Sequence, residues 1–179
     1  MKKGLRKVIS VVLMSVMLSS NVYASEDMMI WEKLAEEQLK NTTSELSEGS
    51  NTAVNRSIQR GRYIASSGLS ITNKGYGVLE VYADTLAYQA VKKIKMTIFL
   101  DQWSENDEDW IQIDSKSMTY EYDGGSEDLH EVSETFLVEN LETGKYYRLR
   151  GLHAVWSFDG YIESHATMTD GILLTDGPA

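Results

Sequence analysis

The chain predicts an all-β fold, an antiparallel β-sandwich of about seven strands, and three observations carry the prediction. From about Arg60 onward, short segments of alternating apolar and polar residues recur at roughly regular spacing. Turn signals separate them at Asn73-Lys74-Gly75, Asp123-Gly124-Gly125, Glu142-Thr143-Gly144 and Asp159-Gly160. The single proline, Pro178, lies beyond the last of them, so no central strand loses a donor. Seven strands is also the count of an immunoglobulin-like sandwich.

Residues 1–24 precede any such pattern. Lys2, Lys3, Arg6 and Lys7 form a basic start, Val8 to Leu18 is an apolar run short for a bilayer, and Val22-Tyr23-Ala24 is a small-x-small cleavage site. This predicts a signal peptide and a secreted, extracellular protein. Four positive charges and no acid leave with it, so the net charge moves from −10 to −14 over the 155 residues that remain. Residues 25–59 read as a polar leader. A short helix is expected over 27–40, where Ile30 and Leu34 stack and Met28, Trp31 and Ala35 lie near the same stripe. The run NTTSELSEGSNTAVN that follows reads as a linker.

The sandwich domain is expected over 60–176. Tyr63 to Thr72 opens it; Ile64 differs in parity from Leu69 and Ile71, and a bulge at Gly68 reconciles them. Gly77 to Leu86 sets Leu79, Val81 and Ala83 on one face. Val91 to Trp103 is the clearest strand, with Ile94, Met96, Ile98 and Leu100 alternating against Lys93, Lys95, Thr97 and Asp101. Trp110 to Tyr122 changes parity, which places a bulge near Ser115-Lys116-Ser117 or divides the strand in two. Leu129 to Asn140 groups Val132, Phe136 and Val138.

The last two strands form a hairpin about Asp159-Gly160, a dipeptide suited to a two-residue type I′ turn. Pairing Phe158 with Tyr161 then sets Gly151 against Met168 and His153 against Ala166 on the core face, with Tyr147, Leu149 and Val155. The other face carries Trp156 with Glu163, Ala154 with His165, and Phe158 with Tyr161. On this register His153 is a hydrogen-bonded core residue and His165 lies outside. The two do not converge, and no metal site is expected, since zinc needs three or four converging ligands.

The absence of cysteine excludes disulfides, thiolate ligands and thiol nucleophiles. The acidic balance argues against nucleic acid or anionic lipid as partner. LLTDGPA at the end shows neither an apolar tail nor a basic stop, so no stable membrane anchor is expected after cleavage. Motifs of the nucleophile-elbow, zinc-protease, P-loop and C-x-x-C kinds are missing, and no cofactor is implied.

Candidate ligand-binding residues are Trp156, Phe158, Tyr161, Glu163 and His165, an aromatic face flanked by polar groups of the kind that stacks on sugars or anchors protein interfaces. The leading expectation is a non-catalytic binding protein whose partner is a glycan or another protein. One alternative is an extracellular hydrolase of cell-envelope or environmental polysaccharide, using acids around Glu163 and His165. The other is a calcium-stabilised structural protein drawing on Asp101, Glu105, Asp107, Glu108 and Asp109, or on Asp123, Glu127 and Asp128; the EF-hand spacing is missing.

Four stretches carry a resemblance: RGRYIASSGLSITNKGYG from Arg60, IKMTIFLDQW from Ile94, YYRLRGLH from Tyr146, and the ES-x2-T-x-T-x-GI pattern of Glu163-Ser164, Thr167, Thr169 and Gly171-Ile172. Over Arg60 to Leu174 the chain resembles a family of small secreted proteins of Gram-positive, clostridial-type bacteria known only as a domain of unknown function. The resemblance implies a signal peptide followed by one all-β domain. It implies no activity, substrate or catalytic residue.

Overall fold

The structure, a computed structural model, describes Lys33, Leu46–Ser47, 50–58 and 60–177. The signal peptide expected over 1–24, and the helix expected over 27–40 apart from Lys33, lie outside the described residues.

Among the described residues, ten strands form two facing sheets. They are β1 (Leu46–Ser47), β2 (Thr52–Ile58), β3 (Ile64–Gly75), β4 (Val78–Ala87), β5 (Lys93–Ser104), β6 (Asp109–Glu121), β7 (Glu131–Val138), β8 (Tyr146–Trp156), β9 (Ile162–Met168) and β10 (Gly171–Leu173). The first sheet runs β2-β3-β4-β7. The second runs β1-β10-β8-β5-β6, with β9 pairing β8. All pairings are antiparallel except the short one between β1 and β10. Lettering β3, β4, β5, β6, β7, β8 and β9 as A, B, C, C′, E, F and G gives sheets A-B-E and C′-C-F-G, the connectivity of an immunoglobulin-like sandwich, with β2 added at one edge.

The core lies between the sheets and follows from period-2 alternation. Ile64, Leu69, Ile71, Leu79 and Val81 of the first sheet meet Ile94, Met96, Ile98, Leu100, Leu149 and Val155 of the second, all at 3% exposure or less. Burying each such side chain contributes about 1.5–3 kcal/mol before entropy is charged. Tyr147, at the start of β8, is also buried, and its hydroxyl donates to the Glu142 carbonyl 2.8 Å away. This is the tyrosine corner of immunoglobulin-like folds, placed where strand F begins. Burial and the neighbouring Glu142 carboxylate hold the phenol above its ordinary pKa.

Several local expectations change. The polar linker does not extend over Thr52–Ile58, which pairs residue for residue with β3. The first bulge sits at Ala65, between the Ile64 and Ser66 pairs, rather than at Gly68. Gly68 has a different reason: a Cβ there would stand 2.1 Å from Oδ1 of Asp84, a buried carboxylate that Arg56 reaches at 3.2 Å. The β3–β4 turn is Tyr76-Gly77, with both φ positive as a type I′ turn requires, and not Asn73-Lys74-Gly75. Asn73 is instead buried, and its amide donates to the Leu173 carbonyl at 3.1 Å. The β6 bulge falls at Ile113, two residues before the expected place.

Candidate functional site

The β8–β9 hairpin closes differently from the two-residue expectation. Ser157 and Tyr161 pair, with Ser157 N donating to Tyr161 O at 2.9 Å, and Gly160 N donates back to Ser157 O at 3.2 Å. Gly160 has a φ of 85°. The loop is therefore Phe158-Asp159-Gly160, a type I turn ending in a left-handed residue. One extra loop residue shifts the register by one and exchanges the faces of β9. His153 now stands opposite His165, Gly151 opposite Thr167, Val155 opposite Glu163, and Trp156 opposite Ile162.

The expected outer face is thereby divided. Phe158 and Tyr161 remain at the surface, 58% and 47% exposed, and Trp156 is half-buried with Lys93 Nζ 4.1 Å from its ring centre. Glu163 and His165 turn inward. Glu163 accepts three successive backbone N–H groups, from Arg62 and Tyr63 at 2.9 Å each and from Ile64 at 3.1 Å. Gly61 lets the chain wrap this carboxylate, since a Cβ there would lie 1.8 Å from Oε1. His165 Nδ1 is 2.6 Å from Ser67 Oγ of β3.

His153 is fully buried and hydrogen-bonded at both ring nitrogens, Nδ1 to Thr85 Oγ1 of β4 at 2.8 Å and Nε2 to Thr167 Oγ1 at 2.9 Å. The core role expected for it holds. The expected placement of the two histidines on opposite faces does not, and three of their four ring nitrogens are engaged by hydroxyls. Gly151 serves this pair rather than Met168, because a Cβ there would meet Thr167 Oγ1 at 2.5 Å and His153 Nε2 at 3.0 Å. Burial pushes the His153 pKa down to about 3, aided by the facing His165, and burial lowers His165 as well. Both are neutral at pH 7.

What the fold assembles at this end is an aromatic cluster drawn from four segments. Tyr161 stacks on Tyr63 with ring centres 5.6 Å apart, and the Arg62 guanidinium lies 5.1 Å from the Tyr63 ring centre and 5.7 Å from that of Tyr161. Phe158 meets Tyr122 edge-on at 5.5 Å. The main chain of Tyr88, whose side chain is 59% exposed, adjoins the cluster, its N–H donating to the Tyr63 carbonyl at 2.8 Å. Asp159 locks the turn beneath. It accepts from Ser157 Oγ and, at 3.0 Å, from Tyr63 Oη, and it pairs with Arg62 at 3.4 Å. The Ser157 and Tyr63 hydroxyls, in that order, hold its carboxyl below the ordinary aspartate pKa. Tyr63, Tyr88, Tyr122 and Arg62 are not among the sequence candidates; they lie at strand ends, and only the topology brings them together.

Of the acids weighed for calcium, Asp101 is removed from the set. It is 1% exposed and lies between Arg148 Nε at 2.9 Å and Arg150 Nε at 2.6 Å. Asp107 accepts from Ser104 Oγ at 2.6 Å in the β5–β6 turn. Among the described residues, no three acids or histidines cluster as a metal would need.

No family model matches the sequence, and no curated protein does. Among solved structures the chain is similar to the crystal structure of Spo0M, a sporulation control protein from Bacillus subtilis, at 10% identity and a TM-score of 0.31, over 70% of this chain and 50% of that one. The chain thus spans about half the length of that structure, a likeness too slight to carry an argument about the site.

Proposed function

We propose that this chain is a secreted, non-catalytic binding module that meets its partner through the aromatic end of the sandwich. One observation carries the reading: Tyr88, Phe158 and Tyr161 are 59%, 58% and 47% exposed at the end where the β4–β5 and β8–β9 loops adjoin. A second layer of Tyr63, Asp159 and the Glu163 carboxylate holds Tyr161 and the turn that carries Phe158 in place in advance, which lowers the ordering cost of binding. Tyrosine and arginine are favoured anchors of protein interfaces, and rings with exposed faces also stack on sugars. The tyrosine and arginine content here favours a protein partner. By fold-level analogy alone, these loops correspond to the B–C and F–G loops that antibody variable domains use for binding.

The test is a binding screen of the mature protein against envelope and extracellular proteins, with a glycan array in parallel, repeated with Phe158→Ala and Tyr161→Ala. Anchors of this kind are expected to lose at least tenfold in affinity on truncation, about 1.4 kcal/mol or more. A specific ligand bound equally well by both variants removes this end as the binding surface.

A further inference from the structure

β9 is held in the sandwich by two different systems. In its own sheet it has a single ladder, to β8, among the described residues. Side chains at alternate positions from Tyr161 on tie this segment to β3 and the residues leading into it, and Thr167 reaches the first sheet only through His153. Tyr161 stacks on Tyr63, Glu163 takes the N–H groups of Arg62, Tyr63 and Ile64, and His165 bonds Ser67. Thr167 bonds His153, which itself bonds Thr85. We infer that β9 is a strap whose release in acid takes the aromatic end apart, so that binding there is switched off as pH falls; the consequence for binding rests on the function proposed above.

The charges around His165 explain the direction. From β3 it meets Ser67 and from β8 the imidazole of His153, whose own partner on β4 is Thr85, while β2 presents Ala53, Asn55 and Ser57 on its inward side. None of these carries negative charge. The nearest carboxylate on the same strand, Glu163, is committed to three backbone donors, and Asp159 and Arg62 pair with each other at the end of the molecule. Asp84 lies on the outer face of the first sheet with Arg56. An imidazolium at His165 would be half-buried, opposite a second imidazole, and with no carboxylate in ion-pair contact among the described residues. Lifting β9 exposes it to water, where the proton is accepted freely. Tyr161 and Asp159 lie on the same segment, so lifting also removes Tyr161 from Tyr63 and Asp159 from Tyr63 Oη.

Native-state amide exchange of the full mature protein, at pH 7 and pH 5 over low urea concentrations and corrected for intrinsic rates, tests this without any ligand. Amides of Glu163 to Thr167 are expected to exchange through a local opening that urea barely affects. Its equilibrium constant should rise about 10- to 25-fold between the two pH values, the upper figure holding for an imidazole of ordinary pKa, ~6.5, that titrates only in the open form. His165→Gln should lose that rise. Ser67→Ala, which keeps the imidazole and removes its partner, should keep the rise from a higher starting point. The strap is overturned if β9 opens only together with β5, with the same urea dependence, or if His165→Gln responds to pH as the wild type does. Failure of the aromatic variants to affect binding would overturn the functional reading and leave these exchange results untouched.

Discussion

Tyr147 illustrates how one hydroxyl serves this sandwich. Its ring is 1% exposed in the core, yet its oxygen reaches the Glu142 carbonyl in the preceding loop, so it joins the β7–β8 connection to the start of β8. Tyr147→Phe keeps the ring and removes one hydrogen bond. The expected cost is about 1 kcal/mol, and about 2–4 °C in Tm for a domain of this size, read by urea and thermal denaturation. No change would mean the corner is held by packing alone. His153 and Gly151 show the same economy in the core. A polar pair is accommodated between the sheets because Gly151 leaves the space and Thr85 and Thr167 satisfy both ring nitrogens. Asp101 does so on β5, where two guanidinium groups satisfy a buried carboxylate.

At the scale of elements, the β8–β9 turn sets both the register of β9 and the composition of the aromatic end. Gly160 sits at a φ of 85°, and no atom lies within 4 Å of where its Cβ would stand, so only conformation opposes a side chain there. Gly160→Ala is expected to cost about 1 kcal/mol and to loosen Phe158 and Tyr161, seen as a lower Tm and a weaker near-ultraviolet signal; an unchanged Tm would show that the loop relaxes to another turn. This turn also marks where sequence reading stops. Asp-Gly serves a two-residue type I′ loop and a three-residue loop with a left-handed glycine equally well, and the two differ by one residue of register. The β8 face is therefore legible, with Tyr147, Leu149, His153 and Val155 all buried as their alternation predicts, while Glu163 and His165 lie on the opposite side from the one a two-residue loop predicts. β5 is legible because four apolar residues alternate without interruption. Parity conflicts in β3 and β6 announce bulges, but nothing local fixes them at Ala65 and Ile113. β2 is hidden because an edge strand with Asn55, Arg56 and Ser57 carries the composition of a loop.

For the whole molecule, the two sheets share one dependence that neither shows alone. His153 hangs from β8 in one sheet and bonds Thr85 in the other, at 0% exposure. Folded, it stays neutral down to about pH 3. Unfolded, it takes up a proton below its ordinary pKa of about 6.5, so the unfolded state binds more protons throughout that window and stability falls as pH falls across it. Between pH 7 and pH 5 this one group should remove about 2 kcal/mol, a range in which most carboxylates have yet to titrate. Urea denaturation at the two pH values reads the loss directly, and His153→Gln, which can still bond both threonines, should lack that share of it. Should the variant not fold, the imidazole proton signals of the wild type supply the check: His153 must remain neutral at pH 5 while the protein is native. A native imidazole that titrates near its ordinary pKa would mean that the core admits the charge and that the sheets are not coupled to acid through this residue.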